Sequence, residues 1–413
     1  MTTMTVEDLT EEVSRRERAF GIAGVALGVL SLLLFARTPG TTTYDFALQY
    51  AAIDLPVLQV PTTATVVALA VATLALGSYQ ALRGSEGREV LLLGGSVVLF
   101  LLAFLTWGGE GSTVNVISLL RSTIRSATPL ALGALAGVLC EKSGVINIAI
   151  EGQLLAGAFL AAVVASFAGP WAGLAASTAG ALFIGMILAV LAVKYRADQI
   201  IVGVVLIVFA SGLTGFLVQQ FPTSLNSPQR FGAFSIPVLS EIPLIGALLF
   251  GQTIIVYVML IGVAFVAWLL FQTRWGLRVR SVGEKPKAAD TVGISVSRMR
   301  YQAVAVGSLF AGVGGAFYTL DSSGQFSRDM TNGAGFIALA AVLVGRHHPV
   351  GAFGAALIFG FAEALATALS IIGVPISSNL LETAPYVATI LVVAGIVGRT
   401  RVPAAGGQPY VTE

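Results

Sequence analysis

Long apolar runs, each close to the length that crosses a bilayer, recur through this chain of 413 residues and leave little sequence for anything else. A membrane-spanning helix needs about 20 apolar residues. Candidate spans read at 20–36, 62–82, 90–107, 126–140, 146–168, 171–193, 199–219, 251–271, 301–320, 333–346, 350–372 and 384–398. Charged residues make up 11% of the chain, where soluble domains carry about 25%, so a water-soluble fold is excluded. A transmembrane barrel is excluded as well, because its strands would read as short alternating segments. The expectation is an all-α, polytopic helical membrane protein of about 12 transmembrane helices. Segments 126–140 and 333–346 are short and glycine-interrupted, so either reads as a broken or re-entrant helix.

Lys and Arg in short loops orient such a protein, because they stay on the cytoplasmic side. With the N-terminus inside, alternation places Arg15, Arg16, Arg18, Arg83, Arg88, Lys142, Lys194, Arg196, Arg346, Arg399 and Arg401 in the cytoplasm. The outer loops 37–61, 220–250 and 321–332 hold only Arg37, Arg230 and Arg328. Both termini are thus predicted cytoplasmic. Arg121 and Arg125 break the rule, on an i, i+4 face beside Val116, Leu119 and Leu120. They mark either an interfacial lead-in helix or a solvated helix end.

The first twenty residues are too acidic and too long for a signal-peptide start, so Phe20–Ala36 is expected to stay as a first span. Single Cys140 cannot form an internal disulfide and reads as an inert apolar residue. The net charge of +2 is spread over loops, which implies no nucleic-acid partner. Residues 1–85 form one module, an N-terminal cytoplasmic segment and two accessory spans joined by a polar, Pro-punctuated loop. Residues 86–400 form a ten-span core, and 401–413 a cytoplasmic tail.

Three stretches carry the candidate chemistry. Cys140–Gly157 sets Glu141, Lys142, Ser143, Asn147, Glu151 and Gln153 next to or inside apolar helix. Ionisable groups inside a membrane are costly and usually face a partner or a water-filled path. Asn147 and Glu151 are four apart and would share one helix face; with Gln153 they either line a solute path or bond helix to helix. Asp321–Pro349 runs from a polar segment through Gly333 and Gly335 into a short apolar half-helix with Phe336 near its start, ending at Arg346-His347-His348-Pro349. Adjacent histidines point about 100° apart on a helix, a poor metal site, so the turn reads as cytoplasmic surface. Glu363 lies mid-helix and either lines the path or is satisfied by a nearby Ser or Thr.

The third stretch, Arg274–Arg300, is the long basic loop, with seven Lys/Arg against two acids. Gly283 and Pro286 mark a turn and Lys287–Val292 a short helix, with Ala288 and Ala289 small enough for close approach by a partner groove. Docking is the preferred reading over simple anchoring to anionic lipid headgroups. No phosphate loop Gly-x-x-x-x-Gly-Lys-Ser/Thr and no legible Ser/His/Asp set occurs, so the chain is not expected to be an enzyme or to bind ATP itself.

At these residues the chain resembles permease subunits of ABC importers of the branched-chain amino acid and simple-sugar family, nearest the nucleoside branch served by basic-membrane-protein-type receptors. The segments SATPLALGALAGVLCEKSGVINIAIEGQLLAGAF (126–159), GLRVRSVGEKPKAADTVGISVSRMR (276–300) and MTNGAGFIALAAVLVGRHHPVGAFGAALIFG (330–360) carry the resemblance. It implies a type II importer permease fold in a prokaryotic cell membrane and alternating-access import of a nucleoside or similar polar solute. It implies no cofactor in this chain, since ATP is bound by partner ATPase subunits. A second permease, identical or not, and an extracellular solute-binding lipoprotein complete the implied assembly. Asn147, Glu151, Gln153, Phe336 and Glu363 would line the path. Gly283, Glu284, Ala288, Ala289, Asp290, Gly293 and Ile294 would form the coupling helix to the ATPase. The alternatives are a sugar or branched-chain amino acid permease, or a stand-alone proton-coupled carrier. Two departures stand out: the two extra N-terminal spans, and His347-His348 where relatives often show an aromatic-Asn pair.

Overall fold

A computed structural model describes residues 6–46, 57–84, 88–220, 229–237, 239–242, 245–374, 376–383, 385–387, 389–390 and 402–411. Helices dominate: α1 (Val6–Phe35), α2 (Thr62–Arg83), α3 (Glu89–Gly108), α4 (Val116–Lys142), α5 (Ile150–Ala168), α6 (Pro170–Ala189) and α7 (Gln199–Gln220). After them come α8 (Ile254–Gln272), α9 (Arg274–Glu284), α10 (Pro286–Thr291), α11 (Val296–Phe317), α12 (Ala334–Val344) and α13 (Pro349–Ile372). Wider π turns extend α6 to Lys194 and α11 to Ser322. Among the described residues ten helices are long and apolar enough to cross a membrane, and α12 is a shorter apolar helix. The span expected at 384–398 falls largely outside the described residues.

The expected short span at 126–140 is instead the second half of α4, a continuous helix of 27 residues with Pro129 inside it. A proline removes one backbone donor, but inside a membrane bundle neighbouring groups re-satisfy what it frees. The extra helical turns are those bearing Arg121 and Arg125. The half-helix expectation holds for α12, whose 11 residues rise about 16 Å, roughly half the hydrocarbon thickness.

The chain divides into two compact units, Met1–Ser118 with Ala366–Leu381, and Leu119–Leu365 with Glu382–Glu413. In the first, α3 packs on α1 and α2 through Phe35, Val66 and Ala103, with Phe100, Phe104 and Trp107 around them. Where the sequence suggests a plain polar loop, β1 (Thr41–Asp45) pairs antiparallel with β2 (Leu58–Pro61) and parallel with β3 (Thr113–Asn115). Thr42 Oγ1 lies 2.8 Å from Thr62 Oγ1 and donates to Thr106 O at 2.7 Å, so Thr-rich strands are tied to helix ends rather than left in solvent.

In the second unit α4 is the central post, with 83% of its most apolar window buried against 33% for α7. Leu130, Leu132, Leu135 and Leu139 interlock there with Ile255, Met259 and Phe359, all under 2% exposed. Helices α5, α6 and α11 cross at backbone contact through small residues. A Cβ on Gly315 would come to 2.4 Å of Leu154 O, and one on Gly312 to 2.5 Å of Thr178 Cα. Ser177 Oγ donates to Gly312 O at 2.6 Å across the same seam. Gly307, which the spacing marks as a packing glycine, faces Ala136 O of α4.

Candidate functional site

Between α4 and α5 the chain is broken over residues 143–149, with Gly144 at φ +87°, a conformation that costs a residue with a side chain. Backbone groups freed inside a membrane must find partners. Cys140 O accepts from Val145 N at 3.1 Å and Ser143 Oγ at 2.7 Å, and Ile146 N donates to Gln199 Oε1 at 2.7 Å. Asn147 therefore precedes α5 and does not share a helical face with Glu151, which corrects the i, i+4 reading.

The structure sends the two residues to different partners. Asn147 Nδ2 donates to Gln153 Oε1 at 3.2 Å, and Gln153 Nε2 donates to Ser308 Oγ on α11 at 3.1 Å. Asn147, Gln153 and Ser308 are fully buried, so this relay bonds helix to helix. Glu151 instead reaches the start of α12. Its Oε1 accepts from Thr331 Oγ1 at 2.6 Å and Gly333 N at 2.9 Å, and its Oε2 accepts from Gly335 N at 2.6 Å. A helix N-terminus carries unsatisfied N–H groups and positive partial charge, so a carboxylate there is strongly favoured. Gly335 permits the approach, since a Cβ would meet Glu151 N at 2.4 Å.

Around that capped entrance the remaining candidates gather. Phe336 is 50% exposed, and the ring of Tyr386, 39% exposed, lies against Gly333, with its hydroxyl donating to Asn332 O at 2.6 Å. Glu363, exposed on α13, lies within electrostatic reach of the same two hydroxyls as Glu151, those of Tyr318 and Tyr386. The arrangement offers aromatic faces and hydroxyls beside a carboxylate that is already committed to backbone donors. Sequence reasoning misses Thr331, Ser308, Gln199 and Tyr386, because ordinary polar residues in apolar helices carry no spacing signal of their own.

At one end of α4, Arg125 Nη2 donates to Asp321 Oδ1 at 2.7 Å, Thr253 Oγ1 donates to Asp321 Oδ2, and Arg121 donates to Gly251 O. The two arginines that break the charge rule are thus held by a counter-charge and a carbonyl. At the other end, His347 Nε2 lies 2.6 Å from Glu141 Oε2. His347 is fully buried, so the surface-turn reading is corrected for it; the imidazole is drawn inward to a carboxylate. His348 stays largely exposed and stacks on Phe271 at 4.8 Å; partial desolvation of the ring, and then the nearby Lys142 charge, pull its pKa below the usual histidine value. Among the described residues no three His, Cys, Asp or Glu side chains gather as a metal site.

The basic loop folds as α9 and α10, the latter one residue from the expected Lys287–Val292. Thr273 Oγ1 caps α9 by accepting from Gly276 N at 3.0 Å. Glu284, Ala288 and Gly293 are exposed, with Asp290 and Ile294 half-buried and Val292 73% exposed at the tip. Ala289 and Gly283 are buried instead. Ala289 joins the core, and a Cβ on Gly283 would meet Lys142 O at 2.2 Å, so these two serve internal packing, and of the expected Ala288–Ala289 face only Ala288 is presented outward.

Residues 119–397 match the family model described as branched-chain amino acid transport system / permease component. The guanosine ABC transporter permease protein NupQ of Bacillus subtilis is 42% identical over 317 residues, covering 72% of this chain and 98% of that protein. The nucleoside ABC transporter permease protein NupC of Lactococcus lactis is 40% identical over 319 residues, covering 72% of this chain and 99% of the relative.

Proposed function

The chain belongs to the branched-chain amino acid transport system permease family, a multi-pass membrane transport component rather than an enzyme, and on that premise we propose that it imports nucleosides. The observation that carries the reading is the Glu151 carboxylate seated on the N-terminus of the half-helix α12. In a transporter, a half-helix N-terminus is the natural place for an anionic group of the solute. Here it is filled from within, which disfavours a solute that must anchor a carboxylate, such as leucine. A neutral solute with a ring and hydroxyls fits the aromatic Phe336 and Tyr386 and the carboxylate Glu363 beside the cap. The named activities of the relatives favour nucleosides over sugars within that class. Asn147 and Gln153 then act behind the path, holding α5 to α11 through Ser308.

Transport is driven by ATP bound and hydrolysed on partner ATPase subunits, with a second permease completing the channel and an extracellular solute-binding lipoprotein delivering the nucleoside. The basic loop faces the cytoplasm, as do both termini, in a prokaryotic cell membrane. Its grip on the ATPase is the exposed side of α10 and its flank, Glu284, Ala288, Val292 and Gly293, with Asp290 and Ile294 behind them. Cells expressing the complete transporter test the solute. Unlabelled uridine should abolish labelled guanosine uptake while ribose and leucine leave it intact, and competition by leucine alone would end the nucleoside reading. Ala288→Arg should remove the ATPase subunits from the purified complex.

A further inference from the structure

The last described segment, 402–411, is read from sequence as a plain tail, yet it is bonded along its length to the two motifs that matter most. Ala405 N donates to Gly283 O at 2.9 Å and Gly407 N donates to Gly144 O at 3.1 Å. Two residues of tail therefore bridge the end of α9 and the broken segment that leads into Asn147 and Glu151. Ala404 N reaches Glu284 Oε2 at 3.4 Å, and Tyr410 Oη donates to Asp290 Oδ2 on α10 at 2.7 Å. Arg300, at the start of α11 and 1% exposed, donates from Nη1 to Gln408 O at 3.0 Å, while its Nε and Nη2 have no hydrogen-bond partner. A buried guanidinium with a single carbonyl partner is costly to strand, so Arg300 holds the tail in place. Ala405 is buried at 4% exposure, and its carbonyl lies 3.1 Å from where a Cβ on Gly144 would sit.

We propose that residues 402–411 are a coupling strap, with Tyr410 and Arg300 as its positioning residues, which forces the basic loop and the Gly144 break to move together during transport. The proposal rests on the loop being the surface an ATPase grips. Gly283 already packs against Lys142 O beside the break, but packing contact alone lets the two part when the ATPase displaces the loop. Hydrogen bonds from one short segment to both elements remove that freedom, because displacing either element alone breaks the bonds to the other. The strap is backbone-built at its centre and side-chain-anchored at its ends, so the Tyr410–Asp290 anchor can be cut without disturbing the buried rung at 405–407.

The test uses membranes and purified complexes from cells expressing the whole transporter, reading three quantities: ATPase subunits retained on the permease, ATP hydrolysed, and labelled guanosine taken up. Tyr410→Phe should retain the ATPase subunits and their hydrolysis while uptake per ATP falls about two- to ten-fold, the range that one net hydrogen bond supplies. Truncation after residue 401 should lower the same ratio further. If truncation reduces the amount of folded protein, the double variant Asp290→Asn with Tyr410→Phe decides. Its uptake per ATP should equal that of the weaker single variant, and losses that simply add would overturn the strap. Unchanged uptake per ATP in Tyr410→Phe would also overturn it, as would loss of ATPase subunits from that variant, which would make the tail part of the grip. Ala288→Arg in the same preparations separates the two readings: ATPase subunits still bound to it would sink the coupling-loop assignment, whatever the tail variants do.

Discussion

Helix α4 is tied near both ends by a carboxylate, and the two ties are chemically unlike. Toward its start, Arg125 of α4 meets Asp321 at the end of α11, and Asp321 also accepts from Thr253 at the start of α8. The guanidinium is a permanent cation, and Asp321 gathers it with the Thr253 hydroxyl into one joint between three helices. Toward its end, the carboxylate is Glu141 on α4 itself and the partner is His347, a cation only when protonated. Arg346 and His347 take φ of +54° and +56°, a region sparsely populated by residues with side chains. One end is thus a fixed joint among three helices, whereas the other sets a buried imidazole against a carboxylate in a strained turn, beside the loop proposed to meet the ATPase. A transporter that opens alternately to two sides has use for that asymmetry.

The comparison breaks first if the fixed joint proves dispensable. Asp321→Ala strands the Arg125 charge and the Thr253 hydroxyl, and should lower stability by about 3 kcal/mol or more, seen as a drop in the Tm of the detergent-purified chain. A third carboxylate, Glu151, is held by a hydroxyl and two backbone N–H groups, with no cation against it among the described residues, and this sharpens the contrast. In Glu151→Gln an amide N–H₂ must face the Gly333 or Gly335 N–H, donor against donor, so the half-helix should lose about 2 kcal/mol and uptake should fall with protein levels kept. Glu141→Gln keeps the size of the side chain and removes only its charge, and should cost only about 1 kcal/mol in the same melting assay. A loss matching that of Asp321→Ala would erase the distinction between the two ends.

The smallest expected effect is at His348. Burial and then Lys142 lower its pKa from 6.5, so the folded chain holds fewer protons at this ring than the unfolded chain. Its contribution to stability is full above the unfolded value and is lost as pH falls through 6.5. His348→Gln should flatten the slope of Tm against pH just below that value; an unchanged slope would assign the dependence elsewhere.

Hydropathy alone locates nine of the ten spans among the described residues, because each must bury its own backbone bonds in lipid; of α4 it shows only the second half, since Arg121 and Arg125 mask the first. The glycines at 333 and 335 announce the half-helix, and Gly283 with Pro286 announces α10. Glu151 is legible as special, since a carboxylate in an apolar helix demands an explanation. Its partners are not legible, for they lie some 180 residues away at Thr331 and Gly333. The same distance in sequence hides the Gln153–Ser308 bond and the return of the tail to Gly144. The Asn147–Glu151 face fails for a local reason: a helical period is assumed from Asn147 onward, but the chain re-enters helix only at Ile150. Strands β1 and β2 escape notice because two short segments carry too few residues to show alternation.

The glycine seam joining α5, α6 and α11 has a mechanical consequence. With main chain resting on main chain at Gly312 and Gly315, no side-chain layer exists to yield, and sliding one helix past another would drive carbonyls into Cα atoms. These three helices must therefore swing as a single block whenever the solute passage changes the side to which it opens. The bending that permits the swing is left to the places where helix is already interrupted, ahead of α5 at Gly144 and ahead of α12 at Gly333.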